Sequence, residues 1–248
     1  MKKLLFFTLC LLALASRVDA QMPPHSTQAI IGIADDWNSS RVTLNLIEKN
    51  ARGVWQPALG PIQGRLGRAG LVWGLGLHTN PRHATIKKEG DGRSPAGIYA
   101  IGGLWTTHKT PVKHHRALPE VKVGPCDLWV SDISQPALYN RYIRLKRPAS
   151  TPWELKEQMR QTDYAHSIKL LICHNTAETP GRPIVGAGSS IFFHIWRQDG
   201  AAPTAGCTSM AEHDLRRLIA RLDPAKSPVY ILLPRAEYMR LRPIWRLP

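Results

Sequence analysis

Ile191-Phe192-Phe193-His194-Ile195 is rich in β-branched and aromatic residues and reads as a buried strand, soon followed by Thr204-Ala205-Gly206-Cys207. Downstream, Ser209-Met210-Ala211-Glu212 has the form of a capping box that opens a helix with Leu215, Leu218, Ile219 and Leu222 on its apolar face. On this reading Cys207 lies just ahead of a helix N-terminus. There, unpaired backbone N–H groups and the positive end of the helix dipole favour a thiolate over a thiol, whose ordinary pKa is about 8.5. Gly206 leaves room for a carbonyl group to approach. A lone cysteine or a lone histidine on an apolar strand is usually a packing residue. Combined with Gly206 and the helix, His194 and Cys207 read as a base and a nucleophile held together.

The same period-2 reading spreads outward from this point. Residues 28–34 and 41–48 are strand-like, the second with Val42, Leu44 and Leu46 on one face, and Asp36-Trp37-Asn38-Ser39-Ser40 forms the turn between them. Frequent glycines across residues 54–76 suggest a meander of short strands. Residues 89–97 form a loop punctuated by Gly and Pro, and residues 98–101 resume as a strand. Residues 104–164 are irregular, with a helix expected over 152–160 and short strands over 128–131 and 139–143. Residues 168–173 form a buried strand. After the helix that follows Ser209, which stops at Asp223-Pro224, comes a strand over 229–233 and then a basic helix from Pro234 that ends before Pro243. No internal repeat or Gly/Ser-rich linker divides the chain, so residues 21–248 are expected to form one mainly β domain with peripheral helices.

The first 20 residues read as an export signal: Lys2 and Lys3, an apolar run over 4–14, then Val18-Asp19-Ala20 ahead of Gln21. No later run is apolar for long enough to span a bilayer. Export implies the periplasm or cell envelope. Residues 21–248 keep 30 of the 33 basic and 17 of the 18 acidic residues, a formal charge of +13. Such a charge draws the protein toward polyanions, which outside the cytoplasm are cell-wall polymer with free carboxylates and anionic lipid headgroups. Neither a recognition helix nor an aromatic RNA-binding motif is present, so nucleic acid is not the expected partner. Cys126, Cys173 and Cys207 remain after the signal, an odd number that leaves at least one unpaired. A Cys126–Cys173 bridge would leave Cys207 free; either other pairing would engage it. The histidines have no metal-site spacing, with no H-E-x-x-H helix and no paired C-x-x-C, and His174 reads as a structural capping group.

Two motifs carry a family likeness. Gly90-Asp91-Gly92-Arg93-Ser94-Pro95-Ala96-Gly97-Ile98-Tyr99 resembles the D-G-x-T-P-x-G-x-[FY] loop and strand of the L,D-transpeptidase catalytic domain, the YkuD-type family that crosslinks or trims bacterial peptidoglycan. His194 followed by Thr204-Ala205-Gly206-Cys207 is similar to that family's His and [ST]-H-G-C. The likeness spans residues 91–233. It implies an L,D-transpeptidase-like β-sandwich, no metal or other cofactor, and peptidoglycan stem peptides as substrates, with envelope proteins attached to the wall as further partners. In it Cys207 attacks a stem-peptide carbonyl to form a thioester, His194 takes the thiol proton, and the N–H groups of Gly206 and Cys207 form an oxyanion hole. The chain departs from the family at Ala205, where a histidine is expected, at Ser209, where an arginine is usual, and in a shorter His–Cys spacing. These departures open two alternatives: an envelope thiol hydrolase of the same fold (an L,D-carboxypeptidase or amidase), and a wall-binding module without activity. Arg93, Arg197, Tyr139, Asn140, Arg141 and Thr204 are the candidates for binding substrate, the arginines through their bidentate match to carboxylates.

Overall fold

The structure, a computed structural model, describes residues 22–160, 162–179 and 181–248. The export segment expected over residues 1–20 lies outside them. The architecture is mainly β. Its first half contains β1 (Gln28–Ala34), β2 (Arg41–Lys49), β3 (Trp55–Arg65), β4 (Leu71–Trp73) and β5 (Ser94–Thr106). Then come β6 (Glu120–Lys122), β7 (Asp127–Trp129), β8 (Tyr142–Arg144), α1 (Pro152–Glu157) and β9 (Ile168–Ile172). The C-terminal part holds β10 (Phe192–Ile195), β11 (Thr208–Met210), α2 (Glu212–Arg221), β12 (Val229–Pro234) and α3 (Arg235–Trp245). No helix among the described residues is long and apolar enough to cross a membrane.

Eight strands form a closed ring in the order β12-β1-β2-β3-β11-β10-β9-β5, because β12 pairs both with β1 in parallel and with β5 antiparallel. Closure leaves no edge among these eight strands and gives the sheet an inside and an outside. The alternation of side chains then sorts each strand. On β9, Ile168, Leu170 and Ile172 enter the inner core; on β10, Phe193 and Ile195 do; on β11, Met210 does, while the Thr208 hydroxyl meets the Tyr230 hydroxyl at 3.1 Å. Phe193 and Tyr230, both fully buried, pack with ring centroids 4.7 Å apart. The outer face of the same three strands carries Leu171, Cys173 and Phe192, which join Trp105, Trp129 and Met159 in a second apolar cluster.

That outer cluster is roofed by the irregular segment. The ring of Trp129 lies 5.3 Å from Trp105 and 5.1 Å from Phe192. The roof is tied down by polar bonds: Glu157 accepts from the Ser131 N–H at 2.6 Å and its hydroxyl at 2.8 Å, and the Met159 N–H donates to the Asp127 carbonyl at 2.8 Å. Thr151 caps α1 reciprocally with Glu154.

Several sequence expectations shift. Residues 54–76 contain an eleven-residue strand, β3, and one short one, β4, rather than a run of short strands, because β3 follows β2 through two register shifts along its whole length. β5 starts inside the expected loop, at Ser94, since β4 pairs with it there. Residues 139–140 are not strand: Asn140 takes φ +54°, a turn conformation that asparagine tolerates, and β8 begins at Tyr142. α3 runs past Pro243; the carbonyl that loses its donor there belongs to Met239, which is exposed. The capping box at Ser209 is absent. Residues 208–210 are instead strand β11, paired with β10 and β3, and α2 starts from Ala211 without a side-chain cap. Cys207 therefore sits at the head of a strand, outside the reach of the helix dipole.

Candidate functional site

β10 and β11 run parallel, with Phe193 opposite Thr208 and His194 opposite Ser209. Cys207 and Ser209 alternate with Thr208, and Phe192 and His194 alternate with Phe193, so Cys207 and His194 share the outer face. With strands ~4.8 Å apart and a rise of ~3.3 Å per residue, the Cα atoms of these diagonal neighbours lie about 8 Å apart. Antiparallel β9 completes the row by placing Lys169 opposite His194.

The Cys207 thiol donates to the Ser190 carbonyl and its sulfur accepts from the Phe192 N–H, both at 3.4 Å. Cys126, Cys173 and Cys207 are all free, so no Cys126–Cys173 bridge forms and Cys207 is a thiol. Burial raises the Cys207 pKa; the Phe192 N–H and the charges of Lys87, Lys169 and Arg197 pull against it. Cys173 is an enclosed packing residue whose thiol burial pushes up to about 12. His194 is 3% exposed, and its Nδ1 donates to the Ile195 carbonyl at 2.7 Å. That bond leaves Nε2 with the lone pair. Burial first, then the charge of His166, pushes His194 down to about 3, so the ring is neutral at neutral pH.

Backbone and hydroxyl groups hold the cysteine peptide from the other side. The Cys207 carbonyl accepts from Thr204 Oγ1 at 2.7 Å and from Ser94 Oγ at 3.2 Å. Ser94 Oγ also accepts from the Gly67 N–H at 2.9 Å. The Gly206 N–H donates to Thr204 Oγ1 at 3.0 Å, which removes it from the expected oxyanion hole and leaves the Cys207 N–H of that pair. Glycine is needed at 206 because φ is +148° and a Cβ there would lie 3.0 Å from the Arg93 carbonyl and 3.3 Å from Lys87 Nζ.

A cleft of about 320 Å³ opens over Cys207. Lys87, Lys169, His166, Trp129 and Met159 are among its walls, with Ala205 and Gly206 at its edge. Both lysines are 4% exposed. Lys87 Nζ donates to Asp91 Oδ1 at 2.7 Å and to the Arg93 carbonyl at 2.6 Å; Lys169 Nζ donates to the Met159 carbonyl at 2.7 Å. Burial pushes Lys169 down to about 8, opposed by Cys207 and Asp163.

Of the residues expected to bind substrate, none reaches the cleft with a free polar head. Arg93 donates to the Leu71 carbonyl and lines a different recess, beside Trp37 and Glu237. Arg197 is clamped on Asp163, although its charge acts on Cys207. Tyr139 is buried and donates to Glu89. Arg141 is exposed and does not line the cleft. Thr204 serves the backbone, as above. Asn140 is a structural hub: its amide donates to the carbonyls of His174 (3.1 Å) and Asn175 (2.8 Å), and its oxygen accepts from Trp129 Nε1 (2.9 Å) and the Ser190 N–H (3.1 Å). It thereby fixes the residue whose carbonyl accepts the hydrogen bond of the Cys207 thiol. His174 is the structural group expected, accepting from the Leu75 N–H at 3.1 Å and donating to the Ala187 carbonyl at 3.0 Å.

Lys87, Lys169 and His166 were not picked out from the sequence. Lys169 had a usable signal, a lone charge inside the apolar run Ile168-Lys169-Leu170-Leu171-Ile172.

No family model matches the chain, and no curated protein does. Among solved structures, the chain is similar to one described as "Structure of Bdellovibrio bacteriovorus Bd1075", with 12% identity and a TM-score of 0.38 over 88% of this chain. The chain spans 54% of that structure's length.

Proposed function

We propose that this chain is an exported cysteine acyltransferase of the L,D-transpeptidase type, acting on peptidoglycan stem peptides in the periplasm or cell envelope. On this reading the closed sheet is a form of the family's β-sandwich. The observation that carries the proposal is a free Cys207 on the outer sheet face, diagonal to a neutral His194, under a cleft walled by buried ammonium groups.

In the first step the thiol leaves the Ser190 carbonyl and passes its proton to His194 Nε2. The sulfur attacks the stem-peptide carbonyl. Negative charge develops on that oxygen beside the Cys207 N–H, with Lys87 and Lys169 nearby, where a single well-aimed donor is worth on the order of a hundredfold or more in rate. The C–N bond breaks, the leaving amine takes the proton from His194, and a Cys207 thioester remains. An amine then attacks the thioester in transpeptidation.

A second reading, hydrolysis by a carboxypeptidase or amidase of the same fold, draws support from Ala205. It presents only a methyl group at the cleft edge, so nothing on that side grips an amine in preference to water. Incubation with muropeptides and mass analysis of products tests both. A crosslinked dimer supports transfer, a shortened stem supports hydrolysis, and an unchanged substrate with no carbapenem or iodoacetamide label at Cys207 leaves a wall-binding module without activity.

A further inference from the structure

Two imidazoles lie against each other at the cleft, and only one of them lines it. His166, in the single helical turn Tyr164–His166, packs on His194 with ring centroids 4.7 Å apart and an interplanar angle of 34°. His166 borders the Cys207 cleft and, with Lys156 and Gln158, also a second recess that contains Asp163 and Arg197. It stands at the saddle between the two. His194 is 3% exposed, lines neither recess, and has one ring nitrogen committed to the Ile195 carbonyl. A molecule arriving from solvent therefore meets His166, while His194 is left to the groups held over Cys207, the thiol and the amine that it expels.

The ring of His166 is also set for that work. Its Nδ1 lies 2.8 Å and 3.0 Å from the two oxygens of Asp163 and 3.3 Å from Arg197 Nη2; the two shorter contacts, to a carboxylate that can only accept, put the proton on Nδ1 and the lone pair on Nε2. Asp163 is held in turn by Arg197. The groups facing His166 are Asp163 from its own turn, Arg197 beyond β10, Lys169 from β9 and His194 from β10. Burial and the two cations lower its pKa from the ordinary value while Asp163 raises it.

We propose that His166, oriented by Asp163, is the acid–base residue for the second half of the reaction: it takes the proton of the water or amine that discharges the Cys207 thioester. The inference rests on the acyl-enzyme reading above. In this step the oxygen or nitrogen of the incoming molecule bonds to the thioester carbon and its proton passes to His166 Nε2. The C–S bond then breaks, and the thiolate leaves with the bond's electron pair and takes the proton back from His166. His194 serves the thiol in the first step, and His166 the newcomer in the second.

The test uses p-nitrophenyl acetate as acyl donor, so that a burst of p-nitrophenolate reports acylation and the following steady phase reports discharge, with Cys207→Ala as control and mass analysis locating the acetyl group. In His166→Gln the burst is expected to survive and the discharge to slow by about a hundredfold or more, so that acetyl-Cys207 accumulates. In the parent, discharge should slow as pH falls through a single ionisation below 6.5, and His166→Gln should lose that limb. Asp163→Asn, which leaves the imidazole in place but unoriented, should slow discharge with the burst intact. Parental discharge in His166→Gln, or burst and discharge falling together in both variants, overturns the role of His166 while leaving the acyl-enzyme standing. A parent protein with no acetyl group at Cys207 overturns both.

Discussion

Replacing Thr204 by valine removes one hydroxyl and keeps the shape of the side chain. In the structure that hydroxyl donates to the Cys207 carbonyl and accepts from the Gly206 N–H, while the Thr204 backbone is pinned separately, its N–H to the Leu66 carbonyl and its carbonyl to the Arg68 N–H, both at 2.8 Å. The loop should therefore survive the change. The Cys207 carbonyl keeps Ser94, but the buried Gly206 N–H is left without its partner. A buried donor stripped of its acceptor costs about 2 kcal/mol, the middle of the usual range. For a chain of this size that is a fall in melting temperature of roughly 4–8 °C. With the cysteine peptide held by one hydroxyl instead of two, iodoacetamide labelling of Cys207 should slow as well, and Thr204→Ser should restore both. Calorimetry and timed labelling read the two effects. A valine variant with the parental melting temperature and labelling rate, but with weaker substrate binding, would refute this reasoning and return Thr204 to the substrate side.

Other outcomes follow from the same contacts. His174 has its pKa pushed down to about 3 by burial, so the unfolded chain takes up a proton near 6.5 that the folded chain refuses. Its contribution to stability is full above pH 6.5 and is lost as pH falls toward 3, on the order of 5 kcal/mol in all; a urea midpoint that holds steady from pH 7 to pH 4 would contradict it. Gly206→Ala forces a Cβ onto the Arg93 carbonyl and strains a positive φ, and should cost about 1–3 kcal/mol and suppress labelling of Cys207. Asn140→Ala should destabilise by roughly 3 kcal/mol or more, and Asn140→Asp, which keeps both accepted bonds but sets a carboxylate oxygen against the carbonyls of His174 and Asn175, should destabilise at least as much; a parental melting temperature in either would argue against the hub. Lys169→Met should slow iodoacetamide alkylation at pH 7, because without that ammonium burial raises the thiol further, and Lys169→Arg should recover part of the rate; an unchanged pH–rate curve would show that this charge does not act on the sulfur.

What was legible in the sequence was local. β1, β9, β10 and β12 announce themselves as short apolar runs bounded by polar turns, and β1 matches its expected limits residue for residue. That His194 and Cys207 fall on one face of neighbouring strands was readable for the same reason, since each lies next to a strand or turn of recognisable chemistry. Ring closure was not readable, because β12 meets β1 and β5 across most of the chain and no local pattern records the partner. The capping box failed through competition. Ser209 has the right spacing from Glu212, but its backbone belongs to a strand clasped on both sides, and the ladder prevailed over the cap. The polar residues expected at substrate failed differently: sequence identifies a side chain able to bind a carboxylate or an amide, and folding turned Arg93, Asn140 and Thr204 toward the protein's own backbone.

The loss of the helix dipole changes where the charge that favours a thiolate must come from. A dipole supplies about 0.3–1 kcal/mol at an exposed site, and a strand end supplies none. In its place stand Lys87 and Lys169, both nearly enclosed, and an ammonium in that position interacts far more strongly than one in water. Enclosing them has a cost, which shows in Lys169 as a pKa near 8. That cost is offset by acceptors from irregular parts of the chain: Asp91 and the Arg93 carbonyl in the glycine-rich loop, and the Met159 carbonyl in the roof. Asp91 also accepts from the N–H groups of Lys88 and Arg93, so loop and lysine form one unit. The glycine-rich loop therefore acts on Cys207 in two ways, mechanically through Ser94 and electrostatically through Lys87. The segment least regular in sequence, residues 104–164, acts in two ways as well, anchoring Lys169 through Met159 and leading into the turn that presents His166 to the cleft. The strands place Cys207, and these two irregular segments set its charge environment.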